Sequence, residues 1–134
     1  MEQEISSFKA KKLEVRVFMD RVALGRAAGQ AVVSKMEETL KKKDFTMVFA
    51  AAPSQNEFLE ELSKSRGVDW KRVTAFHLDE YVGLPGAAPQ IFGQYLRKKL
   101  FDKVRPGKVH YLNGMAEDPE AECDRYAALL KDHP

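Results

Sequence analysis

The sequence lacks the features that mark several large classes of protein. Its 134 residues contain one cysteine, Cys123, so no internal disulfide can form. No apolar run approaches the length of a membrane span, and the N-terminal segment MEQEISSFKAKK has no apolar stretch of the kind that a signal peptide needs. The 22 basic and 20 acidic side chains nearly balance, which gives no sign of a nucleic-acid or membrane-surface binder. We therefore expect a soluble, cytoplasmic protein with a small ligand, no nucleic-acid partner and no membrane contact.

The hydrophobic pattern predicts a single α/β domain over residues 1–134. Hydrophobic residues make up 44% of the chain, enough for one core, and no repeat, low-complexity tract or linker interrupts it. Strand and helix patterns alternate four times: the predicted strands are 13–17, 45–53, 73–78 and 109–112, and the predicted helices are 21–43, 54–67, 91–103 and 119–130. This alternation favours a sandwich with a mainly parallel sheet, right-handed crossovers and helices on both faces.

Local signals add detail to the first two helices. Asp20 is a predicted N-cap of the first helix, and Ser54 and Glu57 have the spacing of a capping box at the start of the second. Gly25 and Gly29 lie on the apolar face of the first helix, where they predict close packing of that helix on the sheet. The segment FTMVFAAAP, 45–53, is a continuous apolar run that predicts a strand buried on both faces.

Ligands of parallel α/β sheets bind beyond the carboxyl ends of the strands, which directs attention to two turns. The first is AAAPSQNE, 50–57, where a helix N-terminus could hold a phosphate. Phosphate-binding turns usually use glycine, but Ala50, Ala51 and Ala52 stand here, and only Ser54 offers a hydroxyl. The alternative is that Ser54 and Glu57 merely cap the helix.

The second turn lies within AFHLDEYVGLPG, 75–86, where Asp79 and Glu80 end a buried strand and a loop begins. A partly buried carboxylate beside a flexible loop is well placed as a general base. The alternative is that one of the two carboxylates caps backbone N–H groups of the loop 83–86. His77 shares a strand face with Asp79, which suggests either proton transfer or a histidine that is simply hydrogen-bonded. The histidines and Cys123 show no metal-ligand spacing, so no metal site is predicted.

One stretch of the sequence carries a family resemblance. VTAFHLDEYVGLP, preceded by VDWKRV and followed by PQIFGQYLRKKLFDKV, resembles the glucosamine-6-phosphate deaminase/isomerase family, whose hallmark is an LDEYVGLP-type loop. The resemblance implies about the N-terminal half of a three-layer Rossmann-like sandwich, because members of that family are about twice as long. The family's D-G-H motif and basic phosphate ligands lie in the other half.

The resemblance also implies roles for the two turns. Asp79 would move a proton between C1 and C2 of an open-chain sugar phosphate, in an aldose–ketose isomerisation coupled to loss of ammonia, with no metal or other cofactor. Glu80, predicted with Asp79 as a catalytic residue, would shape the pocket together with Tyr81 and Gly83. The predicted substrate-binding residues are therefore Tyr81, Gly83 and the phosphate-facing set Ala50, Ala51, Ala52 and Ser54.

The chain departs from that family in its phosphate turn. Where the family usually has T-G-S-T-P or T-G-G-T-P, this chain has FAAAP, 49–53. Two alternatives to a deaminase thus stay open: a truncated or degenerate relative that binds a sugar phosphate or partner without turnover, and a 6-phosphogluconolactonase-like hydrolase. A halved parallel sheet would also leave an unpaired strand, which predicts a homo-oligomer.

Overall fold

Three parallel strands form the centre of the molecule. The computed structural model describes residues 4–134; residues 1–3, the start of the segment that we expect not to be a signal peptide, lie outside the described residues. The strands are β3 (Phe45–Phe49), β4 (Val73–His77) and β5 (Lys108–His110), hydrogen-bonded in the order β3-β4-β5. In register, Ala75 of β4 lies beside Met47 of β3 and Val109 of β5. The predicted α/β architecture with a mainly parallel sheet is confirmed.

Helices precede, connect and follow these strands. They are α1 (Arg21–Leu40), α2 (Asn56–Ser63), α3 (Phe92–Leu96), α4 (Asp102–Val104) and α5 (Pro119–Lys131). A π-helical turn, Arg97–Phe101, joins α3 to α4 in one continuous helix, and it places the adjacent residues Leu100 and Phe101 together in the core. No helix within residues 4–134 is long and apolar enough to cross a membrane.

The two faces of the sheet are covered unequally. On one face, Val73 and Ala75 pack in the main core, whose other members come chiefly from α1, α2 and the α3–α4 helix: Met36, Leu40, Phe49, Ala51, Leu59, Leu62, Val68, Trp70, Leu96, Leu100 and Phe101. On the other face, Phe76 lies against Tyr126 of α5, with ring centroids 5.4 Å apart. Val48 of β3 stays 45% exposed, so the prediction that 45–53 is a strand buried on both faces is wrong. The strand ends at Phe49.

The N-terminal region forms a hairpin that the sequence pattern only half predicted. The predicted strand at 13–17 is present as β2 (Leu13–Phe18), but it pairs antiparallel with β1 (Glu4–Ala10) instead of joining the parallel sheet. Every residue of β1 is exposed, and Leu13 remains 65% exposed. The turn between the strands places Lys11 at φ 58°, a conformation usually taken by glycine or asparagine, so its sequence gave no hairpin signal.

Close packing of α1 occurs as predicted, but against a different partner. A Cβ at Gly25 would lie 2.5 Å from the Cβ of Glu57, and one at Gly29 would lie 2.6 Å from the Cγ of Glu61. Both neighbours belong to α2, so the two glycines allow helix to meet helix, and the prediction that they pack on the sheet is wrong. The predicted N-cap is present: the Asp20 carboxylate accepts a hydrogen bond from the Ala23 N–H at 2.8 Å.

Candidate functional site

The turns that follow the parallel strands meet at one edge of the sheet. The Leu78 N–H, just after β4, donates to the carbonyl oxygen of Phe49 at the end of β3, with N and O 2.9 Å apart. The Gly83 N–H donates to the Gly114 carbonyl in the turn after β5 at 2.8 Å. The loop that carries Asp79 is therefore tied to both neighbouring strand ends, as expected for a ligand site in a parallel sheet.

Asp79 lies in the wall of an open pocket beside α5. The pocket has a volume of about 400 Å³, and its walls are largely apolar, with Leu78, Leu112 and Leu130 among them. Within residues 4–134 the Asp79 carboxylate makes no hydrogen bond or ion pair, and no lysine or arginine lines the pocket. Asp79 is thus exposed, not partly buried as expected, and the other charged residues that line the pocket, Glu80 and Glu122, are acidic. A carboxylate that a ligand can reach suits a group that exchanges protons with it.

Glu80 has a different role from its neighbour. Its Oε1 accepts a hydrogen bond from the Phe92 N–H at 2.8 Å, and its Oε2 accepts one from the Gly93 N–H at 2.9 Å. These amides are at the start of α3, where a carboxylate satisfies unpaired N–H groups and complements the helix dipole. The capping alternative therefore holds for Glu80, although the amides belong to α3 and not to the loop 83–86. Its carboxylate fixes the position of the loop.

Tyr81 and Gly83 shape the loop without lining the pocket. The ring of Tyr81 packs against that of Phe92, with centroids 4.7 Å apart. Gly83 adopts a φ of 90°, a conformation in which a side chain would be strained. Of the predicted site residues in this loop, Asp79 and Glu80 line the pocket, whereas Tyr81 and Gly83 do not.

His77 is a structural histidine. It is 1% exposed, and its Nε2 accepts a hydrogen bond from the Leu112 N–H at 3.0 Å. Its Nδ1 lies 2.9 Å from the backbone carbonyl oxygen of Asp79, to which it donates in the neutral tautomer that this arrangement requires. Its contact with Asp79 is through the backbone, so the hydrogen-bonded alternative describes His77 and no proton relay to the Asp79 carboxylate is formed.

Two histidines should make the fold sensitive to mild acid. Burial lowers the pKa of His77, and burial, followed by Lys108 and other nearby cations, lowers the pKa of His110. Below pH 6.5, the ordinary pKa of histidine, the unfolded chain therefore binds more protons than the folded chain. The stability of the fold is full above that pH and falls as the pH drops toward the lowered pKa values of the folded state.

We expect the urea midpoint to decrease as the pH is lowered from about 7 to about 5. His110→Phe provides a matched variant, because the buried Nε2 of His110 has no hydrogen-bond partner in residues 4–134 and its ring stacks on Phe76. This variant should show a shallower decrease. A midpoint that is unchanged over this range in the parent chain would contradict the prediction.

The turn after β3 is built differently from the prediction. A 3-10 turn, Pro53–Gln55, precedes α2, and neither the turn nor the helix has a side-chain cap. The predicted capping box of Ser54 and Glu57 is therefore wrong. The Glu57 carboxylate instead accepts a hydrogen bond from Arg21 Nη2 at 2.9 Å, and this ion pair lowers the pKa of Glu57.

The predicted phosphate-facing residues of this turn do not share the pocket of Asp79. Ala50 is exposed, whereas Ala51 is only 8% exposed and belongs to the core. Ser54 lines a separate hollow between α1 and α2 together with Arg21. The structure thus separates the two halves of the predicted site.

Residues that sequence reasoning missed hold the turn in place. Arg21 Nη2 also donates to the Pro53 carbonyl at 2.7 Å, and the Tyr95 hydroxyl lies 2.7 Å from the Ala52 carbonyl oxygen. Neither residue has a sequence signal, because each acts on a backbone atom more than 30 residues away. No group of three or more His, Cys, Asp or Glu side chains within residues 4–134 could hold a metal ion.

Comparison with known proteins gives one family. The family described as glucosamine-6-phosphate isomerases/6-phosphogluconolactonase matches residues 19–134. Glucosamine-6-phosphate deaminase 1 of Giardia intestinalis is 45% identical over 75 residues, which cover 54% of this chain and 28% of that protein. The glucosamine-6-phosphate deaminase of Pseudarthrobacter chlorophenolicus is 35% identical over 119 residues, or 84% of this chain and 46% of that protein. This chain therefore spans about half the length of such relatives, or less.

Solved structures show the same fold at low sequence identity. A monomeric glucosamine-6-phosphate deaminase matches with a TM-score of 0.73 and 22% identity, over 84% of this chain and 48% of that one. A 6-phosphogluconolactonase from Plasmodium vivax matches with a TM-score of 0.79 and 7% identity, over 95% of this chain and 46% of that one. These matches confirm the predicted Rossmann-like fold and its extent, about half of the neighbours' chains.

Proposed function

This chain belongs to the family of glucosamine-6-phosphate isomerases and 6-phosphogluconolactonases, and from that membership we propose that it provides the proton-transfer part of a sugar-phosphate site, with Asp79 as the general base. The single observation that carries the proposal is the contrast between two adjacent carboxylates. Glu80 is held by the N–H groups of α3, whereas Asp79 is exposed in an open pocket at the carboxyl end of β4. Asp79 is thus the carboxylate that a substrate can reach.

The proposed reaction follows from the names of the relatives and the position of Asp79. With glucosamine 6-phosphate as substrate, Asp79 would take a proton from C2 of the open-chain sugar and return it at C1, which leaves an imine at C2. A water molecule would then add to C2, and the C–N bond would break to give the C2 ketone and ammonia. The products would be fructose 6-phosphate and ammonia, as expected in amino-sugar catabolism in the cytoplasm. Glu80 supports this step by fixing the loop. Of the turn predicted to face the phosphate, Ala51 is in the core and Ser54 lines a different hollow, so only Ala50 and Ala52 would remain for that role.

A second candidate function is binding without turnover. The pocket beside Asp79 has apolar walls and no lysine or arginine in the part of the chain that is described, and the alanines of the turn obstruct close approach of an anion to the backbone. Both features favour a chain that binds a sugar phosphate weakly or depends on a partner subunit for its positive charge.

We also propose that the chain forms a homo-oligomer. Val48 is exposed on β3, which is an edge strand of the parallel sheet and could pair with another copy. Light scattering that showed only monomer would contradict this proposal.

Titration of the chain with glucosamine 6-phosphate tests the first candidate, with heat of binding and release of ammonia followed in the same samples. The deaminase proposal expects both signals, and glucose 6-phosphate, which has no amine, should give heat without ammonia. Heat without ammonia from glucosamine 6-phosphate would favour the second candidate. The absence of both signals would contradict the sugar-phosphate proposal for this chain. Acid release from 6-phosphogluconolactone would indicate the hydrolase instead.

A further inference from the structure

Tyr95 connects the two turns of the proposed site. It lies on α3, and its hydroxyl reaches back to the turn after β3, 2.7 Å from the carbonyl oxygen of Ala52 and 2.5 Å from Oδ1 of Asn56. The hydroxyl has one proton, so it donates to one of these oxygens at a time. Either bond joins α3 to the segment at the start of α2.

The other end of α3 is joined to the loop that carries Asp79 and Glu80, here called the acid loop. Glu80 binds the N–H groups of Phe92 and Gly93, which are three and two residues before Tyr95 on the same helix. A short helix of this kind is a stiff element, since its backbone is fixed by its own hydrogen bonds. The acid loop and the turn 50–56 are therefore joined through one turn of helix.

We infer that Tyr95 is a positioning residue that sets the turn Ala52–Asn56 relative to Asp79, through the connected chain of Glu80, α3 and the Tyr95 hydroxyl. This inference rests on the proposed function for its meaning in catalysis. Because Asp79 is adjacent to Glu80 and not to Tyr95, loss of the Tyr95 hydroxyl releases the turn 52–56 while the base keeps its place.

Tyr95 holds the turn 52–56 from the side of α3, and Arg21 holds it from the side of α1. Arg21 holds the same turn from α1 through the Pro53 carbonyl, but its side chain is 60% exposed and its bond competes with water. The Tyr95 hydroxyl is part-buried, and it is a protonated donor at neutral pH, because the ordinary tyrosine pKa is 10.0 and burial raises the pKa of Tyr95 further. The bond from Tyr95 is thus the better shielded of the two.

Tyr95→Phe removes the hydroxyl and keeps the ring, and it should act on the turn alone. Amide hydrogen exchange over residues 52–56 should become faster, while exchange over residues 79–83 should stay as in the parent chain. If the parent is active, KM for glucosamine 6-phosphate should rise about 3- to 10-fold, the factor expected for one lost hydrogen bond, with kcat unchanged. A purely structural role would not separate KM from kcat in this way.

Tyr111→Phe is the matched control, because it removes a hydroxyl that faces Arg97 on the π-helical turn and does not touch the turn 52–56. It should leave exchange over 52–56 and KM unchanged. Asn56→Ala leaves the Ala52 carbonyl as acceptor of the Tyr95 hydroxyl, so exchange over 52–56 should increase less in this variant than in Tyr95→Phe. Unchanged exchange over 52–56, or an equal increase throughout the chain, would overturn the inference. A parent chain that neither binds nor converts sugar phosphate would overturn the proposed function, whereas the exchange result would still decide the role of Tyr95.

Discussion

Replacement of Asp79 by asparagine should abolish ammonia release while leaving the pocket intact. Asparagine keeps the shape of the side chain but cannot accept a proton at neutral pH, and loss of a general base typically costs about 10²- to 10⁴-fold in rate. The Asp79 carboxylate makes no hydrogen bond or ion pair within residues 4–134, so this change breaks no contact of the fold. We expect kcat to fall by that factor, measured as ammonia release from glucosamine 6-phosphate, with the heat of binding retained.

Asp124→Asn is a suitable control for this experiment. Asp124 is an exposed carboxylate on α5, and its replacement makes the same change in charge at a position that does not line the pocket. Its turnover should equal that of the parent chain. If Asp79→Asn also turned over at the parent rate, the assignment of Asp79 as base would be refuted, and the activity would have to come from another group.

Replacement of Gly114 by alanine should disrupt the packing between the loops that follow β4 and β5. A Cβ at this position would lie 2.0 Å from the carbonyl oxygen of Tyr81, a backbone atom that cannot rotate away. The two loops would have to separate, which would strain the hydrogen bond from the Gly83 N–H to the Gly114 carbonyl. Forced overpacking of this kind costs about 1–3 kcal/mol or more, so the free energy of unfolding should fall by at least that amount in urea denaturation.

Gly86 provides the comparison for Gly114 within the same loop region. A Cβ at Gly86 would meet no atom within 4 Å, so Gly86→Ala should leave the urea midpoint near the parent value. It should also leave the binding of glucosamine 6-phosphate unchanged. Equal midpoints for the Gly114 and Gly86 variants would show that the loops after β4 and β5 are not packed as closely as the structure has them.

The parts of the fold that the sequence predicted are those with strong local signals. The buried pattern of β4, the Asp20 cap and the Pro119 start of α5 each depend on residues close together in the chain, and all three are present. The acid pair was found for the same reason, because a run of apolar residues leads directly to Asp79 and Glu80. Local chemistry was enough to locate the loop.

The features that sequence reasoning missed depend on distant atoms. Glu57 has the spacing of a capping box, but Arg21, 36 residues away, takes its carboxylate, and a longer-range ion pair replaces the local cap. Gly25 and Gly29 indicate a close approach, but they do not specify whether a sheet or a helix approaches. The different roles of Asp79 and Glu80 likewise became clear only when the start of α3 was seen to lie against Glu80.

The π-helical turn between α3 and α4 has a consequence for how this helix can change in evolution. A π turn holds one more residue than the α-helical turn it replaces, and each residue of an α-helix advances the side chains by about 100° around the axis. Leu100 and Phe101, both buried in the core, lie at the end of this wider turn. A deletion of one residue within this turn would therefore restore a regular α-helical turn and leave the two ends of the helix in their present relative rotation. Arg97–Phe101 is thus the place in this helix where the loss of one residue would keep Tyr95 in its present orientation relative to the helix beyond the turn.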